Sequence, residues 1–177
     1  SNPSAMNRIL IFLLAVSLSP ALSAQTIDTK NWNAFTDTAG KFIAKYPPEW
    51  KNKIKEGNRV FFTSPAESEA DIFYENININ VSQNKGYGTE IKIQELFPAV
   101  TEQLKPAFRD FISESQRNFK WNNIDAVEII YTGYNKIDES IRVRMIQWFC
   151  FYKTRLYTVT FTSAADNSFH TATAKKI

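Results

Sequence analysis

Along residues 76–82 every second position is polar, and the positions between are Ile77, Ile79 and Val81. A period of two with one apolar face predicts a β-strand half-buried on a core. Val127, Ile129 and Tyr131 alternate in the same way further on. Tyr157, Val159 and Phe161 alternate against Thr158, Thr160 and Thr162, and the inner faces of these two strands are expected to share a core. Between them, Ile141, Val143 and Met145 point one way, with Arg142 and Arg144 opposite. From 146 to 152 nearly every residue is apolar or aromatic, so this half of a long strand should be covered on both faces. Lys153 and Thr154 then make a tight hairpin without the Asn-Gly pair that such turns favour.

Two earlier hairpins are expected. Residues 32–35 and 41–46 flank 36–40 in the first, and 51–54 with 59–64 flank Gly57 and Asn58 in the second. One segment departs from the period of two. Ile93, Leu96, Phe97, Val100 and Leu104 recur at helical spacing and end at Lys105 and Pro106, which predicts an amphipathic helix on the sheet. Pro98 lacks a backbone donor, so the helix should start late or bend there. Residues 165–177 read as a shorter second helix.

Residues 1–5 precede Met6 like an upstream scar. Arg8, the apolar run 9–16, Pro20 and small residues up to Ala24 then follow the order of a secretory signal. The run is short of the roughly 20 residues that cross a bilayer core. Residues 1–24 are therefore expected to be scar plus signal peptide, and 25–177 a single α+β domain without a membrane span. A chain of this size can fold without covalent staples. Cys150, the only cysteine, lies among aromatic residues as a small buried hydrophobe. The net charge of +3 is spread among acidic residues rather than concentrated on a basic face, which argues against nucleic-acid binding.

Candidate chemistry is sparse. His170 is the only histidine, and Ser168 and Asp166 beside it are too close in sequence to form a triad, so it reads as a surface histidine. One cysteine and one histidine cannot supply the common structural zinc sets. Glu67, Glu69, Asp71 and Glu75 lack the spacing and glycine of a calcium loop and read as a solvated connection between strands. Gly86, Tyr87 and Gly88 form a turn, since nothing completes a phosphate motif after them. Asn80 to Ser82 matches a glycosylation sequon that a strand makes accidental. No catalytic residue, metal ligand or cofactor is assigned. Trp32, Trp50, Tyr87 and Trp121 fall at strand ends or turns, where aromatic rings either line a binding surface or plug the sheet; plugging is the favoured reading.

The stretch Phe-Ile-Ala-Lys-Tyr-Pro-Pro-Glu-Trp at 42–50, followed by Val-Phe-Phe-Thr-Ser-Pro at 60–65, resembles the opening of PsbP/Mog1-like proteins and their bacterial secreted branch. The resemblance continues through 77–81, the amphipathic helix, Asp125-Ala126 and 157–161. It implies a central antiparallel sheet flanked by helices in an α/β/α sandwich. Members of the family are binding and assembly factors, one branch serving photosystem II and another binding a small GTPase, and they share no catalytic residue. Their final helix is usually longer than this chain allows.

The expected function is that of a periplasmic or secreted non-enzymatic domain that binds a protein partner or assists assembly. The alternative is a carrier of a small apolar ligand, which needs an apolar pocket of several hundred Å³. Third is a carboxylate-dependent enzyme, which needs acidic groups converging in a cleft.

Overall fold

The computed structural model describes residues 26–55, 59–83 and 92–177. The expected signal peptide and the expected turns at Gly57-Asn58 and Gly86-Tyr87-Gly88 lie outside the described residues.

Among the described residues, nine strands form two antiparallel sheets. β1 (Asn33–Asp37) and β2 (Phe42–Tyr46) make a separate hairpin. The other seven are β3 (Lys51–Lys53), β4 (Val60–Thr63), β5 (Asn76–Gln83), β6 (Phe108–Trp121), β7 (Ile124–Asn135), β8 (Arg142–Tyr152) and β9 (Arg155–Ala164). They pair in the order β3-β4-β5-β9-β8-β7-β6. β5 thus returns beside β9 across the whole C-terminal half of the chain, in register from Asn76↔Thr162 to Gln83↔Arg155.

Directly paired residues share a side of the sheet. Phe62, Ile77, Phe161, Ile146 and Ile130 therefore form one row on the front face, and all are buried. Ala44, Tyr46 and Trp50 close over them, together with Ala174 of the single helical turn α2 (Thr171–Ala174). Burying a side chain the size of Phe62 or Phe161 contributes about 1.5–3 kcal/mol. The front layer is thus mostly the β1-β2 hairpin, and the second helix expected over 165–177 shrinks to one turn. On the back face, Val127, Ile129 and Phe149 are covered by a 3₁₀ turn (Ile93–Leu96) and α1 (Phe97–Leu104). Pro98 stands in the first turn of α1, where its missing N–H is not needed.

The register corrects one expectation. Val127, Ile129 and Tyr131 do not share a core with Tyr157, Val159 and Phe161; the first set faces back and the second faces front. β7 is buried continuously from Ala126 to Gly133, so alternation within it does not choose a face. The apolar half of β8 is covered on both sides as expected, with Trp148 in the front cluster and Phe149 in the back.

The turns obey backbone sterics. Asn122 and Asn123 both have positive φ, 46° and 67°, which is the requirement of the two-residue turn joining β6 to β7. Lys153 at φ 55° serves the β8-β9 turn. At the tip of the first hairpin, the Gly40 N–H donates to Asp37 Oδ1 at 2.7 Å. A Cβ on Gly40 would lie 2.8 Å from Asp37 Oδ2, so any larger residue there displaces the carboxylate. Arg59 grips the same carboxylate with two bonds of 2.6 and 2.8 Å, and the Tyr157 hydroxyl donates to the Gly40 carbonyl at 3.0 Å. Through these bonds the hairpin is fastened to the large sheet.

Candidate functional site

The sequence-derived aromatic residues do not form one surface. Trp50 is 3% exposed and belongs to the front core, so it offers nothing to a partner; the Pro47-Pro48 turn carries it inward, and its N–H donates to the Pro47 carbonyl at 3.0 Å. Trp32 is half-buried before β1. Tyr87 lies outside the described residues. Trp121 ends β6 at the far end of the sheet, stacked on Phe119 with ring centroids 6.3 Å apart.

Trp121 and Phe119 line a cleft of about 510 Å³ on the front face, between β2, the β6-β7 end of the sheet and the last residues of the chain. Its walls are mixed. Phe42, Val159 and Trp148 are apolar, while Arg117 and Glu128 put an ion pair at 2.7 Å into it. Glu128 is buried and receives the Trp148 indole N–H at 2.7 Å as well as two guanidinium bonds. Burial would raise its carboxyl pKa, but Arg117 and Trp148 outweigh burial and hold it below the usual value. A carboxylate held ionised by a dedicated arginine is poorly placed to take up a proton as a base.

A second cluster forms at the other end of the sheet, where the connections 64–75, 136–141 and 165–170 meet. Two expectations are corrected there. His170 is not a surface histidine: it is buried at 7% exposure, its ring edge-on to Trp50 (5.4 Å) and Phe169 (4.8 Å). The acidic run is not uniformly solvated, because Glu75 is 1% exposed. And its members converge, with Glu67 and Glu75 facing His170 Nε2 at 3.7 and 4.0 Å. Ser64 Oγ donates to Glu75 Oε2 at 3.1 Å. The Asn167 amide donates to both carboxylates, at 2.9 and 3.0 Å to Glu67 and at 3.2 Å to Glu75. Burial, with the nearby Glu67 charge adding to it, pushes the Glu75 carboxyl above its usual value, against the bonds it accepts. No local spacing announces this group, since His170 lies more than half a chain beyond the two glutamates and meets them only when β5 pairs with β9.

The same end of the molecule carries exposed apolar side chains. Ile72, Tyr74, Ile137 and Phe169 are 83, 51, 95 and 71% exposed, and all stand in these three connections. Among the described residues no helix is long and apolar enough to cross a membrane. Cys150 is buried, and burial pushes its thiol up to about 11, which keeps it protonated and unreactive.

A hairpin packed on a seven-stranded antiparallel sheet, backed by one short helix, defines the PsbP/Mog1-like α+β fold, and solved structures share it. The solution structure of cyanobacterial PsbP (CyanoP) from Synechocystis superposes with a TM-score of 0.56 at 14% identity, covering 89% of this chain and 98% of that one. The Ran-binding protein Mog1p from Saccharomyces cerevisiae gives 0.55 at 8% identity, over 82% of this chain and 84% of its own. A Pseudomonas aeruginosa protein of unknown function gives 0.56 at 14% identity, over 81% and 91%. No family model matches the sequence, and no curated protein does. At these identities the likeness is one of fold.

Proposed function

We propose that this protein is an exported, non-enzymatic binding domain that docks another protein through the loop end of its sheet. The observation that carries this reading is that Ile72, Tyr74, Ile137 and Phe169, four of the eight large apolar side chains exposed among the described residues, all stand in connections at one end of the sheet. Apolar side chains exposed together at one end favour association with another surface. Support comes also from the kind of protein that has this fold, one of which binds Ran by its own description. The leader-like order of residues 6–24 supports a location in the periplasm or outside the cell. The ionised, arginine-held state of Glu128 speaks against acid-base chemistry in the cleft.

The test is affinity capture of residues 25–177 from the envelope fraction of the native host, beside the variant Ile72→Ser/Ile137→Ser/Phe169→Ser. All three residues are surface positions, so the variant should unfold at the same temperature. A partner held by the parent and lost by the variant is the expected result. Equal capture by both, or capture by neither, overturns the docking surface. A second reading rests on the cleft of about 510 Å³, a volume suited to a small partly apolar ligand. Mass spectrometry of small molecules released from the captured domain checks it, and Trp121→Ala should then abolish their recovery.

A further inference from the structure

We propose that Glu67, Glu75 and His170 form a binding site for one divalent transition-metal cation of the zinc class, completed by solvent. The inference does not depend on the docking reading above.

The geometry is that of a gap. His170 Nε2 lies 3.7 Å from Glu67 Oε1 and 4.0 Å from Glu75 Oε2, too far for hydrogen bonds to either. It is buried and has no hydrogen-bond partner. A buried ring nitrogen left without a partner is destabilising, and a bound cation would satisfy it. Ligands about 2.1 Å from a tetrahedral ion stand roughly 3.4 Å from one another, so the imidazole need approach each carboxylate by only about half an ångström, and a rotation of the partly exposed Glu67 side chain brings the two carboxylates together around an ion. The three ligand atoms already lie within 4.8 Å of one another.

The surroundings fit the same purpose. Asn167 donates to both carboxylates and Ser64 donates to Glu75, which fixes the direction of the acceptors as outer-shell donors do around bound metals. Trp50 and Phe169 stand edge-on to the imidazole and hold its ring. His170 and Glu75 are buried, whereas the Glu67 side chain keeps 23% of its surface exposed, leaving a way in from solvent. One imidazole and two carboxylates, with a position left for water, suit zinc and its neighbours. Calcium prefers six to eight oxygen ligands and magnesium an octahedral oxygen shell, and neither matches this set.

The test uses the purified, tag-free chain, stripped with a chelator and titrated with zinc sulfate by calorimetry. Long-range 1H–15N spectra are recorded at each step; His170 is the only histidine, so the imidazole signals belong to it alone. The expected result is saturation at one equivalent with a displaced Nε2 resonance, and no displacement with calcium or magnesium chloride. Glu67→Gln, a partly exposed and isosteric change, should weaken zinc binding at least about tenfold. Glu69→Gln, in the same connection but outside the cluster, should leave it unchanged. An imidazole unmoved by zinc, or a Glu67→Gln protein that binds zinc as tightly as the parent, overturns the proposal.

Discussion

Asp37 shows how much one carboxylate can hold in place. It accepts two bonds from Arg59 and one from the Gly40 N–H, and the Arg59 guanidinium beside it, before any other cause, draws its pKa down to about 2. The folded value lies below the unfolded one, so its contribution to stability is present above pH about 4 and is lost as pH falls through about 2. Arg59 is more than a third exposed, so solvent screens the pair and the contribution is modest. Asp37→Asn should therefore lower the urea midpoint at pH 7, and the difference from the parent should shrink steadily between pH 4 and pH 2. A difference that stays constant over that range would mean that the ion pair does not couple the hairpin to the sheet.

At the scale of elements, the turns decide which strands can be read from the chain. β5 and β9 are legible because their polar faces are uniform, Asn on one and Thr on the other. β6, the longest strand, shows no clean period. Its register slips between Arg109 and Ile112 and again between Ser113 and Ser115, Asp110 sits at φ 53°, and each irregularity shifts which side an apolar residue faces. β6 is also an edge strand, polar along most of its length, so burial writes little of its pattern. The local signal that could have marked it is Asn122-Asn123, a pair suited to positive φ at both central turn positions. Replacing Asn123 by Gly should hold or slightly raise stability, while Asn123→Ala should cost about 1 kcal/mol, because the left-handed region penalises a Cβ without a compensating side-chain polar group. Equal urea midpoints for the three proteins would show that the turn does not constrain the β6-β7 register.

The whole molecule explains why the fold was legible and the Glu67-Glu75-His170 cluster was not. Alternation reports whether a position is buried, and burial of the strands suffices to specify a sheet with a helix behind it. Which acidic residue meets the histidine depends instead on the pairing of β5 with β9, a contact between segments about half a chain apart, to which local periodicity is blind. Trp50 illustrates the same limit: its place at a strand end suited either surface or core, and only the layer formed by the β1-β2 hairpin decides for the core.

That long-range closure has a consequence for stability across the molecule. Apolar clusters flank β7 and β8 on both faces, and β9 lies between β8 and β5, whereas β3 has one neighbour and three exposed residues. Local opening is cheapest where few buried contacts are lost. Native-state hydrogen exchange should therefore find the slowest amides in 129–132, 146–150 and 159–163, exchanging only through global unfolding. The amides of β3 should exchange fastest among the strands, with the β1-β2 hairpin between, since it rests on the sheet through one face and the Asp37-Arg59 clamp. Protection in the hairpin equal to that of β8 would mean that hairpin and sheet unfold as one unit, whereas the present geometry gives the hairpin an opening of its own.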